Sequence, residues 1–217
     1  MFSSPTKSVL FVSAMSVVLI ALSGCASATP DASAEGPIKI GAVSSITGPA
    51  PFPEVPAAAQ AVFDRVNADG GIHGRQIELL SKDDGADPAQ ASQAARRLID
   101  EDQVVAFVGS ASLVECSVNA TVYAQQGVVS VPGIGVEPAC FASANIAPVN
   151  NGTIQGFSSL LFYASEVLGD TKVCPIILKS PGLTEPYLEL IARWQETTGS
   201  KSPLVDTTVN FGDDPTP

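Results

Sequence analysis

Short apolar runs alternate with amphipathic stretches along most of this chain, and that alternation restricts its fold more than any other feature. Residues 38–45 (IKIGAVSS) read as a strand. Residues 54–67 then read as a helix, with Ala58, Val62, Phe63 and Val66 at spacings of three and four, stopped by Asp69-Gly70-Gly71. Residues 76–81 are a second strand, and Asp83-Asp84-Gly85 turns the chain. Asp87-Pro88 opens the next helix as N-cap and N1, with Ala91, Ala94, Leu98 and Ile99 as its buried stripe. The continuous apolar run 104–108 suits the interior of a parallel sheet. Gly109-Ser110-Ala111-Ser112 leads into a helix ending near Gln126, and 128–131 is a fourth strand followed by Pro132-Gly133-Ile134-Gly135. This βαβαβαβ order with short turns predicts an α/β fold, a parallel sheet with helices on both faces.

A second series follows. Residues 146–149 read as a short strand, 153–168 as a helix, 172–178 as a strand, 183–198 as a helix and 204–209 as extended chain. The expected layout is a first α/β lobe over 38–150 and part of a second over 151–217, the latter small for an independent domain. Hydrophobic residues make up 45% of the chain and aromatic residues only 6%, so cores are built from Ala, Val, Ile and Leu. The net charge of −11 repels phosphate backbones and anionic headgroups, which argues against a nucleic-acid partner.

Residues 1–24 have the layout of an export signal. Lys7 supplies the basic region, and the apolar run 9–22 is shorter than the ~20 residues that span a bilayer. A short membrane anchor is the alternative. Leu22-Ser23-Gly24-Cys25 resembles the lipobox of bacterial lipoprotein signals, which implies a lipid thioether on Cys25. Each buried CH₂ of such chains contributes about 0.8 kcal/mol, and two or more chains hold stably. Residues 25–37 (Ala, Ser, Pro and Gly rich) read as a flexible tether.

Export places the remaining cysteines in an oxidising compartment. Cys116 and Cys140 form either a disulfide or two separate buried thiols, and both readings stay open. Cys174, in an apolar run, reads as an inert core residue. His73 is the only histidine and no cysteine pair has zinc-finger spacing, so neither a metal nor a cofactor is expected.

Ligands of open α/β sheets bind at the carboxyl ends of the strands. Three such ends here share one composition: Ser44, Ser45, Thr47 and Gly48; Gly109, Ser110, Ala111 and Ser112; Gly133, Ile134 and Gly135. Each set alone is ordinary turn chemistry. Together they point to a ligand crevice. The start of the helix after Ser112 favours an anion by typically ~0.3–1 kcal/mol, so a carboxylate is the expected tenant. Asp83, Asp84 and Asp87 read as a solvated turn with a helix cap in preference to a Ca²⁺ site. No G-x-G-x-x-G, Walker loop or G-x-S-x-G elbow is present, so an enzyme is not expected.

The segments IKIGAVSSITGP, NADGGIHGRQIELLSKDDGADPAQA, VVAFVGSAS and GVVSVPGIGVEPACF carry a resemblance. They resemble the branched-chain amino-acid (Leu/Ile/Val-binding) type of ABC-transporter solute-binding proteins, periplasmic binding proteins of fold type I. The resemblance implies two hinged lobes closing on an amino acid or similar small carboxylate, which is handed to an ABC permease. Carried over, the ligand-binding residues are Ser110, Ala111, Ser112, Leu113, Gly133, Ile134 and Gly135. It also implies a Cys116–Cys140 disulfide, found in some members. Where members often place an aromatic over the ligand, Leu183 and Tyr187 are the nearest substitutes. Family chains continue past this C-terminus, so the second lobe is expected to be incomplete. A sensory domain of the same fold and a non-functional fragment are the competing expectations.

Overall fold

A computed structural model describes residues 36–179 and 182–210. The export signal, Cys25 and the tether up to residue 35 lie outside them. Four strands form one parallel sheet: β1 (Ile38–Ser44), β2 (Ile77–Asp83), β3 (Ala106–Val108) and β4 (Val129–Val131), in the order β2-β1-β3-β4. β1 and β2 stay in unbroken register from Ile38 opposite Ile77 to Ser44 opposite Asp83. β2 therefore extends beyond the expected 76–81 and takes in Lys82 and Asp83. The run expected as strand from 104 pairs only from Ala106, and Val105 stands 63% exposed.

α1 (Glu54–Ala68) joins β1 to β2, α2 (Pro88–Asp100) joins β2 to β3, and α3 (Glu115–Gln126) joins β3 to β4. Right-handed crossovers put α1 on one face of the sheet and α2 and α3 on the other. Asp87 caps α2 by accepting the Gln90 N–H at 2.8 Å, with Pro88 in the first turn. Asn67 fastens the end of α1 to β2, donating to the Ile77 carbonyl and accepting its N–H at 2.8 and 2.7 Å. α1 is rotated from the expected stripe. Val62 is 60% exposed and Ala58 faces out, while Ala59, Phe63 and Val66 are partly covered. In so Ala-rich a helix the apolar residues do not define one face. α2 buries Ala91, Ala95 and Leu98, so Ala95 takes the place expected of Ala94.

The main core lies under α2 and α3, where Val43, Leu98, Phe107 and Tyr123 are buried and the Phe107 and Tyr123 rings sit 4.6 Å apart. Burying one large apolar side chain stabilises by roughly 1.5–3 kcal/mol. After β4, α4 (Pro138–Ala142) occupies what was expected to be loop. Residues 146–149 are not a strand: Ile146 makes a single bridge to Ser130.

A second cluster is built from α5 (Thr153–Phe162), the π-helical turn Tyr163–Val167 that prolongs it, and α6 (Thr184–Thr198). It buries Leu161, Ile177, Ile191 and Trp194, and the Trp194 indole N–H reaches the Ser165 hydroxyl at 3.1 Å. The expected strand 172–178 does not form as one. It runs parallel to 201–206 through isolated bridges, Lys172 to Lys201 and Ile176 to Asp206. The second segment advances one residue more than the first between them. That slip, and Pro175 with no N–H to donate, break the ladder. Along it Val173, Pro175 and Ile177 turn inward, and Cys174, Ile176 and Leu178 turn out. Cys174 is thus an exposed thiol, not a core residue.

Candidate functional site

The chain winds outward from β1 to β2 and then reverses through β3 to β4, so the strand ends meet at a switch point between β1 and β3. Single bridges carry the sheet past its strands there, Ser44 to Ala111 and Ala111 to Ile134. Ser45 donates its N–H to the Ala111 carbonyl at 2.8 Å, and Gly133 and Ile134 donate theirs to the Ser110 carbonyl at 2.8 and 3.2 Å. All three stretches singled out in the sequence therefore come together. Ser110, Ala111 and Ser112 are buried, whereas Leu113 and Ile134 line an open cavity beside them.

The hydroxyl groups of this crevice serve buried acids. Asp84, fully buried, accepts from the Ser45 hydroxyl at 2.8 Å and from the Ser112 hydroxyl. Ser112 Oγ in turn accepts the N–H groups of Val114 and Glu115 at 3.1 and 2.9 Å, capping α3. Glu115 accepts from the Tyr123 hydroxyl at 2.6 Å and the Ser110 hydroxyl at 3.3 Å. Burial pushes the Glu115 carboxyl up, the hydrogen bonds from Tyr123 and Ser110 oppose it, the charges of Asp84 and Glu137 add to it, and it rises to about 8. Glu137 is also raised by burial, against hydrogen bonds that include the N–H groups of Ser117, at 3.0 Å, and Cys116. In the first turn of α3 the Glu115 and Ser117 amides are thus bonded to Ser112 and Glu137.

Of the acids after β2, Asp87 is the cap the sequence indicates. Burial acts to raise the Asp83 carboxyl, but the Thr47 hydroxyl and the N–H groups of Gly85, Thr47 and Ile46 outweigh it and bring it to about 2. Asp84 departs from the solvated turn expected of it, because Ser45 and Ser112 close over its carboxylate.

The glycines after β4 make room for the protein itself. A Cβ on Gly133 would stand 2.4 Å from Val55 Cγ1, and one on Gly135 2.5 Å from Pro148 Cγ. Gly135 also exchanges two hydrogen bonds with the Asn150 side chain, at 2.9 and 3.1 Å. Gly135→Ala should lower stability by roughly 1–3 kcal/mol, the range for overpacking a rigid site. Urea denaturation measures this, and an unchanged midpoint would show that the Pro148 ring moves freely.

A disulfide joins Cys116 in α3 to Cys140 in α4 and decides between the two readings left open for those cysteines. The Glu137 carboxylate lies within 4.8 Å of both sulfurs. Sulfurs joined to each other are not thiolate ligands, so the trio is no metal site in this state.

The cavity measures about 410 Å³, within the range of small-molecule sites. Phe52, Leu113, Ile134 and Val136 form one wall, and the other comes from beyond residue 150, including Phe157, Ile176, Leu183 and Tyr187. Both residues proposed as substitutes for the family aromatic, Leu183 and Tyr187, reach it. Tyr187 also meets Phe157 edge-on at 5.2 Å. Sequence reasoning missed Phe52, Val136 and Phe157, and it missed Glu115 and Glu137 as buried acids. The sole available signal was a glutamate set among small apolar residues in GVEPACF. Among the described residues no helix is long and apolar enough to cross a membrane.

Comparison with known proteins agrees with this fold. The profile of the family described as periplasmic binding protein matches residues 37–214. An amino acid binding protein of Pseudomonas aeruginosa is 41% identical over 80 residues, 35% of this chain and 20% of that protein. A Leu/Ile/Val-binding protein of Escherichia coli K12 is 29% identical over 106 residues, 46% of this chain and 28% of its own length. The periplasmic binding protein type 1 of Bordetella pertussis superposes with a TM-score of 0.68 at 23% identity, covering 82% of this chain and 50% of its own. A branched-chain amino acid transporter substrate binding protein from Streptococcus pneumoniae, in complex with isoleucine, gives 0.64 at 22% identity, covering 82% and 51%. At these identities the structural likeness speaks to fold. The chain spans about half the length of these solved proteins, and its matched segments span less of the curated ones.

Proposed function

This chain belongs to the periplasmic binding protein family, and from that premise we propose that it is the exported solute-binding component of an ABC importer. In this reading residues 38–150 and 151–217 belong to two lobes that close on a small organic solute without chemical change to it. Lipid on Cys25 holds the protein to the membrane from which the permease takes the solute. The names of its relatives put amino acids and similar small carboxylates first among candidate solutes. The observation that carries the proposal is the cavity itself: it opens at the switch point of the sheet and takes its second wall from α5, α6 and the segment before α6. Leu113 and Ile134 touch the solute, and Ser110, Ala111, Ser112, Gly133 and Gly135 hold the frame behind them.

Ligand-dependent thermal stabilisation of the purified full-length protein tests this. A solute at a hundredfold excess over its Kd adds about 2.7 kcal/mol. Branched-chain and aromatic amino acids, their deaminated acids and their amides form the panel. An unmoved melting temperature across that panel would rule the reading out.

A further inference from the structure

We infer that Glu137 is a resident carboxylate filling the anion-binding turn of α3, so that the adjoining cavity reads the apolar body of a solute and seats no carboxylate on that helix. The choice of solute rests on the solute-binding reading above; the occupancy of the turn does not.

Three observations converge on Glu137. The Ser117 N–H donates to its carboxylate at 3.0 Å, and Ser112 Oγ takes the N–H groups of Val114 and Glu115, so donors that would hold a solute anion are engaged from within. The hydroxyl protons of Ser45 and Ser112 go to Asp84 and that of Ser110 to Glu115, so the crevice meets an incoming carboxylate with acceptors. A further anion would also crowd the buried carboxyls of Asp84 and Glu137, and like charges at close range oppose one another's ionisation. Glu137 is itself held in place. It is 5% exposed, Pro138 follows it as the first residue of α4, and the Cys116–Cys140 disulfide ties that helix to α3. Val136, the residue before it, lines the cavity, where Thr153 and Tyr187 are the polar residues of an otherwise aliphatic and aromatic lining. A solute that carries a carboxylate is therefore bound by its body, with the charged end turned away from α3. Its uncharged amide is bound about as well.

Occupancy of the turn is tested without any solute. Glu137→Ala removes the resident group, and formate is small enough to replace it. About 100 mM sodium formate should raise the melting temperature of E137A by on the order of 5 °C over equimolar sodium chloride, and should leave the parent protein and E137Q unmoved. Equal responses in all three proteins, or none in E137A, would overturn the inference. If E137A is unfolded in chloride by circular dichroism, recovery of the fold in formate supports it and failure in both salts overturns it. Calorimetry with 4-methylpentanoate and 4-methylpentanamide tests selection. The parent should bind the two within about threefold, and E137A, its turn vacated, should shift the ratio about tenfold toward the carboxylate. A parent that already prefers the carboxylate by that factor would end the inference about selection. Formate rescue with neither probe bound would leave Glu137 in its seat and count against the solute-binding reading.

Discussion

Glu115→Gln should flatten the pH dependence of stability between about pH 5 and pH 8. The folded protein keeps a proton on Glu115 up to about pH 8, whereas the unfolded chain releases it near the ordinary value of 4.5. Across that window the native state binds the extra proton, so stability falls as pH rises, by up to about 1.4 kcal/mol per unit from this one group. The contribution is complete below 4.5 and gone once the pH has passed the folded value. Glutamine keeps an oxygen for the Tyr123 and Ser110 hydroxyls and carries no proton to lose. Its profile should therefore retain only the shallower slope of the same sign that the raised Glu137 supplies. Urea denaturation at pH 5, 6, 7 and 8 reads both slopes. Parallel profiles for the two proteins would show that Glu115 does not hold its proton in the folded state. Asp83 does not disturb the comparison, because its carboxyl is lowered and its own contribution is lost only as pH falls below the ordinary range toward 2.

The second large effect is expected from the disulfide. Its two cysteines are 24 residues apart in sequence, and closing such a loop restricts the unfolded chain by roughly 3–4 kcal/mol in the chain-entropy treatment. That is a large part of the ~5–15 kcal/mol by which domains are held folded. Replacing both cysteines by alanine, or reducing the bond, should lower the melting temperature by on the order of 10 °C for a chain of this size. Scanning calorimetry with and without reductant measures it. A drop of under about 2 °C in the reduced protein would mean that α4 stays docked through its other contacts.

The parts of this fold that follow from neighbouring residues were legible in the sequence. β1 is a dense apolar run, Asp87-Pro88 opens α2 by local capping chemistry, and the alternation of apolar runs with helices calls for parallel strands joined by crossovers. Orientation was harder. Residues 54–67 hold apolar side chains on several faces, so the packing of α1 against the sheet, not its pattern, decides that Val62 looks out. Cys174 sits in a run that reads as fully buried, but among the described residues its segment pairs with one neighbour and is covered on one side, so alternate residues reach solvent. At the site, position was legible and role was not. Serines and glycines at three strand ends mark segments that the fold brings together at one crevice. What the serine hydroxyls do depends on Asp84 and Glu115, and what Gly133 and Gly135 admit depends on Val55 and Pro148. Asp84 and Val55 are distant in sequence from the residues they meet, and no spacing rule connects Ser110 with Glu115 or Gly135 with Pro148. Glu137 is hidden in the same way: an acid in a turn is ordinarily solvated, and only the docking of α4 on α3 makes it internal.

The outward set of Cys174 makes the protein easy to instrument. It carries the one free thiol among the described residues, and Ile176, two positions along the same exposed edge, lines the cavity. An environment-sensitive fluorophore attached to that sulfur would sit at the rim of the cavity without touching the buried acids or the cross-link. Its emission would then follow filling of the cavity in real time, so that candidate solutes can be screened by titration in a cuvette.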